Sequence, residues 1–265
     1  MRAVTAPHPG GPDALRVVEV PDPVPRPDEL LVAVHAAGVN RGDVMQRRGR
    51  YPPPRGVTEV LGLEMSGEVA AVGGAVTGWS PGEGVCAVVA GGGYAELVTV
   101  PAAVALPIPR GLTLTEAACT DLGADIGINY RESDFAEVVA EATGGRGVDV
   151  VLDIMGAAYL ERNLACLAVE GRLVVIGLMG GTRAEVDLGP MLTRRLSVAA
   201  STLRARTTPE KAAVAERLRR EVWPGFADGT LRPVIDRVLP LDQAAEAHRV
   251  MQAGEHVGKI VLAVR

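Results

Sequence analysis

The sequence predicts an α/β protein: a small, irregular, barrel-like β domain followed by a parallel sheet with crossover helices. Three observations carry this. Short β-branched runs separated by turn residues fill the first hundred positions. After Pro109 strand-like and helix-like segments alternate. The 265 residues are 48% hydrophobic and 22% charged, which is enough apolar material for one large or two ordinary domains.

The β region contains Leu30 to Val34, Val69 to Val72, Val85 to Val89 and Ala95 to Val100. Prolines between Pro21 and Asp28 and the turn Trp79-Ser80-Pro81-Gly82-Glu83-Gly84 separate them. Further on, Thr113 with Glu116 forms a capping box, and Gly123 would stop that helix. Ile126 to Tyr130 reads as a strand, and Asp134 with Glu137 caps a helix running to Thr143. Val148 to Ile154 is a nearly continuous apolar run, as expected of a strand buried on both faces. Tyr159 to Val169 is helical, Gly171 stops it, and Leu173 to Leu178 is a second buried strand. In the tail, Leu196 to Thr202 is strand-like, and Thr208-Pro209-Glu210 opens a helix that Pro224 ends. Asp242 caps a last helix closed by Gly254, and Lys259 to Val264 is the final strand.

Charge and cysteine usage narrow the function. The net charge is −5, so no broad basic face is available for nucleic acid. The arginine pairs Arg47–Arg48, Arg194–Arg195 and Arg219–Arg220 read as solvated surface. Three dispersed cysteines, Cys86, Cys119 and Cys166, fit neither a disulfide framework nor a structural zinc site. No apolar stretch approaches membrane-spanning length and no export signal stands at Met1 to Gly11, so a cytoplasmic protein is expected. The one Gly-x-Gly-x-x-Ala match, Gly82-Glu83-Gly84-Val85-Cys86-Ala87, leads into a strand and is a surface turn.

Several linked motifs carry a resemblance. Gly38-Val39-Asn40-Arg41-Gly42-Asp43, Gly49-Arg50-Tyr51-Pro52, Leu61-Gly62-Leu63-Glu64-Met65-Ser66-Gly67 and Gly92-Gly93-Tyr94-Ala95-Glu96 resemble the zinc-independent quinone oxidoreductase branch of the medium-chain dehydrogenase/reductase superfamily. Gly123-Ala124-Asp125, Ile128-Asn129-Tyr130-Arg131, Gly177-Leu178-Met179-Gly180-Gly181 and Gly258-Lys259-Ile260-Val261-Leu262 extend it. The resemblance implies a GroES-like domain over 1–112, a dinucleotide-binding Rossmann-like domain over 113–231 and a segment 232–265 returning to the first. It implies NADPH as hydride donor, a quinone or similar electrophile as acceptor, and a homodimer paired through sheet edges near Leu196 to Thr202. Zinc-dependent relatives place a cysteine where Asn40 stands and a histidine where Leu63 stands, so no metal is expected.

The resemblance also locates a site. Asn40 and Tyr51 would meet the substrate, and Asn40, Tyr130, Arg131, Gly177, Leu178 and Met179 the cofactor. No residue is assigned as a catalytic acid: the proton is expected from solvent. Lys259 reads as a charge covering a sheet edge, and Glu64 as a buried or turn carboxylate. One departure stands out. Between Ala118 and Leu122 the family carries two strands, the Gly-rich turn and their helices, roughly 50–70 residues by average element lengths, where this chain has Cys119-Thr120-Asp121 alone. The Rossmann domain is therefore read as truncated, with impaired cofactor binding expected. The alternative is a non-catalytic remnant acting as a binding or oligomerisation module.

Overall fold

The computed structural model describes residues 1–110, 112–113, 126–130 and 132–265. The capping box at Thr113 and Glu116, Cys119, Gly123-Ala124-Asp125 and Arg131 fall wholly or partly outside them. The chain divides into two compact units, Met1–Leu122 with Arg204–Arg265, and Gly123–Leu203.

The first unit is built on an open seven-stranded sheet. Its strands are β3 (Glu29–Gly38), β4 (Glu64–Val72), β5 (Gly84–Val88), β6 (Leu97–Pro101), β7 (Leu106–Pro107), β11 (Ile235–Pro240) and β12 (Lys259–Ala263). The order is β11-β12-β3-β4-β5-β7, with β6 also pairing β3. The path ends at β11 and β7, so the barrel-like expectation is corrected to an unclosed sheet. A separate hairpin joins β1 (Arg2–Thr5) to β2 (Arg16–Glu19). β3 organises the unit. Leu30, Val32 and Val34 alternate inward and are fully buried, each contributing on the order of 1.5–3 kcal/mol of transfer free energy. Its length lets β6 pair along Glu29–Ala33 while β12 takes Ala36–Gly38.

Among the described residues, the helices of this unit are α1 (Arg41–Arg47), α5 (Thr208–Glu221), α6 (Trp223–Asp228) and α7 (Ala244–Ala253), and those of the second unit are α2 (Phe135–Ala142), α3 (Leu160–Cys166) and α4 (Leu188–Arg194). The returning segment starts at Arg204, earlier than the position 232 read from sequence. The reason is packing: Ala215 of α5 is buried against Cys86 and Leu106, and Trp223 joins that cluster. Thr207, one residue before the expected cap, is the N-cap of α5, with Glu210 bonding back to its N–H and hydroxyl. Pro224 does not end this helix but sits in the first turn of α6, where its missing N–H costs nothing.

The second unit has a three-stranded parallel sheet, β8 (Val148–Asp153), β9 (Leu167–Val175) and β10 (Ser197–Ala200), in the order β10-β9-β8. The expected strand at Ile126 to Tyr130 is not one. Ile126 and Tyr130 are exposed, and the Asn129 carbonyl accepts from the N–H groups of Glu132 and Ser133, which makes a turn. The Tyr159–Val169 helix is also shorter than expected: α3 ends at Cys166, and β9 begins at Leu167. Leu160, Leu164 and Met191 pack on Val151, Leu173 and Val175, covering one sheet face. On the other face Val150 is 50% and Leu152 66% exposed, so β8 is buried on one side only. No helix among the described residues is long and apolar enough to cross a membrane.

Candidate active site

The polar site of the first unit is assembled by three strands and one helix end. β12 runs antiparallel to β3 with Val261 opposite Gly38, and β4 runs antiparallel to β3 with Ser66 opposite Ala36. That register brings Lys259, Asn40 and Glu64 together although they are widely separated in sequence. Lys259 Nζ donates to Asn40 Oδ1 at 2.8 Å and to Glu64 Oε1 at 2.7 Å. Asn40 Nδ2 donates to the same Glu64 oxygen at 2.8 Å and to the Gly38 carbonyl at 3.3 Å. Side-chain exposures of 22% for Lys259 and 21% for Glu64 place the pair at a partly dry surface. β12 lies between β11 and β3, so Lys259 does not guard an edge as the sequence suggested.

Beneath this triad Asp43 fixes the start of α1. Its carboxylate is fully buried and accepts from Asn40 N (2.8 Å), Gly62 N (3.2 Å) and Tyr94 OH (3.1 Å). Burial pushes the carboxyl up to about 7, against the opposing pull of those hydrogen bonds, with the Glu64 charge adding to the rise. Burial and the Asp43 charge hold the Tyr94 phenol well above its ordinary value. Gly62 must be glycine: its φ is +100°, and a Cβ there would stand 2.4 Å from Tyr94 N.

On the core side of α1, Arg47 is fully buried, contrary to the surface reading of the Arg47–Arg48 pair. Its guanidinium reaches Gln252 Oε1 and lies 3.4 Å from His248 Nδ1. A guanidinium only donates, so Nδ1 accepts and His248 is neutral with its proton on Nε2. Burial, then the Arg47 charge, lowers this imidazole to about 3.

Tyr51 lies close to the triad. A Cβ at Gly42, two residues past Asn40, would be 3.6 Å from Tyr51 Cε1 and 2.6 Å from Leu63 Cδ1. Arg204 stacks over the Tyr51 ring at 4.6 Å and donates to the carbonyls of Ala90 (2.9 Å) and Tyr51 (3.1 Å) and to Gln46 Oε1 (2.7 Å). Sequence reasoning missed Arg204, because nothing near it in the chain marks it apart from other arginines. A cleft of about 470 Å³ on the same unit, lined in part by Val57, Val88, Leu97 and Lys211, contains none of Asn40, Tyr51, Glu64 and Lys259.

The remaining cofactor candidates stand on the second unit. Gly177, Leu178 and Met179 follow β9 at its carboxyl end, where open parallel sheets bind ligands, and Leu178 and Met179 are exposed apolar groups rather than core. Tyr130 is an exposed turn residue. The helix after β8 does not offer a phosphate cradle. Asp153 already accepts from Met155 N (2.8 Å) and Gly156 N (2.7 Å), placing a carboxylate where a phosphate would need bare N–H groups. The Gly82 turn opens β5, an antiparallel strand, and is no cradle either. Thus the described residues fit the flat apolar end of a dinucleotide and not its pyrophosphate. A metal does not fit: Asn40, Glu64 and Lys259 put an ammonium beside the lone carboxylate, and among the described residues no three His, Cys, Asp or Glu side chains converge.

Comparison with known proteins gives two family matches, the alcohol dehydrogenase GroES-like domain at residues 26–110 and the zinc-binding dehydrogenase family at residues 122–262. A phenolphthiocerol/phthiocerol polyketide synthase of Mycobacterium tuberculosis is 29% identical over 97% of this chain, which spans only 14% of that protein. Quinone oxidoreductase of Sus scrofa is 25% identical, over 96% of this chain and 94% of its own, and the 319 aligned positions exceed the 265 residues present here. The crystal structure of Escherichia coli quinone oxidoreductase complexed with NADPH superposes with a TM-score of 0.86 at 26% identity, covering all of both chains.

Proposed function

Because the chain belongs to the medium-chain dehydrogenase/reductase superfamily, an oxidoreductase family, we propose that it is a zinc-independent reductase that uses NADPH to reduce a quinone or another conjugated carbonyl compound. The observation that carries this reading is the Asn40–Glu64–Lys259 triad beside Tyr51. It is a preformed, partly dry polar cluster that includes Asn40, one of the two positions assigned to substrate. NADPH, when bound, supplies hydride. The chain's own contribution is to orient a flat acceptor against the Tyr51 ring, to limit water around it and to stabilise charge on its oxygen.

Titrating the folded protein with NADPH, followed by nicotinamide fluorescence, tests the reading. We expect saturable binding weaker than low micromolar, and oxidation of NADPH only when a quinone is added. No binding at millimolar NADPH would overturn it. Two observations favour a second reading, a non-catalytic binding or oligomerisation module: the sequence lacks a Gly-rich turn between a strand and a helix, and one apolar sheet face of the second unit is exposed. Concentration-dependent association without NADPH binding would support that reading.

A further inference from the structure

The cleft of about 470 Å³ on the first unit takes no part in the function proposed above. Its volume lies within the roughly 300–1,000 Å³ typical of small-molecule sites. Val57, Val60, Leu97, Val98 and Val104 give it aliphatic walls, and among the described residues no aromatic ring lines it. A flexible alkyl chain therefore fits it better than a flat ring that would need a stacking partner. The charged groups lining it among the described residues are the Met1 amino group, Arg26, Glu29 and Lys211. The Met1 ammonium pairs with Glu19 and Asp22, Glu29 accepts from the Arg26 N–H, and the Arg26 side chain is exposed to water. Lys211 differs. It is half-buried, its hydrogen bond goes to the Arg204 carbonyl at 2.9 Å, and among the described residues no carboxylate pairs with it. Burial, then the Arg204 charge, lowers its pKa from the ordinary ammonium value. The bond to Arg204 fixes the direction of the ammonium and leaves two of its three N–H groups without an acceptor among the described residues. A cation without a counter-ion beside apolar walls is costly until an anion meets it.

We propose that this cleft binds an aliphatic carboxylate, its alkyl chain lying along the valine and leucine walls and its carboxylate accepting hydrogen bonds from Lys211. The two parts of the ligand answer the two features of the cleft: the chain removes apolar wall from water, and the head group supplies the missing counter-ion. A neutral alcohol of the same length would satisfy the walls and not the charge. A short carboxylate would satisfy the charge and not the walls. The site does not depend on NADPH or on the triad, because none of Asn40, Tyr51, Glu64 and Lys259 lines it.

The test is calorimetric titration of the full chain, without cofactor, with decanoate, decanol and hexanoate, each below the concentration at which decanoate forms micelles. One decanoate should bind per chain, at least tenfold tighter than decanol. It should also bind at least tenfold tighter than hexanoate, because each buried methylene adds about fourfold in affinity. Lys211→Arg should keep the preference for decanoate over decanol. Lys211→Met should bring the two ligands to similar affinity by weakening decanoate at least tenfold, with the unfolding midpoint showing that the variant is folded. Comparing the two ligands on one protein cancels any general change of the cleft, so the ratio reports the ion pair even if the substitution alters the walls. The measurements on the unsubstituted protein stand by themselves if the variant fails to fold. The proposal is wrong if decanoate shows no saturable binding, if it binds no tighter than decanol or hexanoate, or if its preference over decanol survives in Lys211→Met.

Discussion

The two units treat polar and apolar groups in opposite ways. In the first, Asp43, Arg47 and His248 are taken wholly into the interior, where Tyr94 and Gly62 donate to Asp43 and Arg47 donates to Gln252 and His248. In the second, Leu152 and Val150 stand outside on one face of the sheet. A long β3 with three partner strands, roofed by α7, encloses enough volume to bury ions with their partners. Three short parallel strands with helices packed on one face do not. Chemistry that needs fixed, partly dry charges accordingly sits in the first unit, and the second offers surface.

The largest expected effect comes from breaking the buried network. Asp43→Ala leaves Tyr94 OH and the N–H groups of Asn40 and Gly62 without their acceptor. A loss of about 3–5 kcal/mol is expected, the cost of removing one partner from a buried charged cluster. Both tryptophans, Trp79 and Trp223, belong to the first unit, so fluorescence during urea unfolding reads that unit directly. A loss below 1 kcal/mol would show that Asp43 is not structural.

The same network gives a pH signature of intermediate size. Asp43 keeps its proton in the folded state up to about 7, whereas the unfolded carboxyl releases it near 3.8. Its contribution is full below 3.8 and is lost as pH rises toward 7. His248, lowered from 6.5 to about 3, works the other way: its contribution is present above 6.5 and lost as pH falls toward 3. Between about 4 and 6.5 the two slopes oppose each other. His248→Gln removes one of them, so the stability of that variant relative to the unsubstituted protein should decline as pH rises from 4 to 6.5, by on the order of 2–4 kcal/mol. A difference that does not vary with pH would mean that His248 is not held neutral.

Much of this molecule was legible in the sequence. The four strands of the β region, the α2 helix behind Asp134, the α7 helix closed by Gly254 and the last strand follow from local alternation, caps and turn residues. What escaped was long-range. Asn40 was placed at the site by its motif, but not its partners, because its helix is only seven residues long and tertiary bonds from Gly62 and Tyr94 to Asp43 anchor that helix's first turn. Lys259 and Glu64 lie in separately recognisable motifs, but only the β12–β3–β4 register joins them. Arg47 resembles every other arginine until α7 brings His248 and Gln252 to it. Ile126 to Tyr130 failed for the converse reason: its strand-like composition has no packed face to reward it.

The smallest effect tests the second unit. Leu152 and Leu173 occupy neighbouring strands of one sheet and look alike in sequence, yet one is 66% exposed and the other fully buried. Leu173→Ala should cost about 2–5 kcal/mol, read as lost hydrogen-exchange protection of β8 and β9 amides. Leu152→Thr should change that protection by less than about 0.5 kcal/mol, because a β-branched polar residue suits an exposed strand position and forfeits no packing. The pair isolates the uncovered face from the strand itself. If Leu152→Thr proves as costly as Leu173→Ala, that face is covered in solution, and the contrast between the units would be one of assembly rather than of fold.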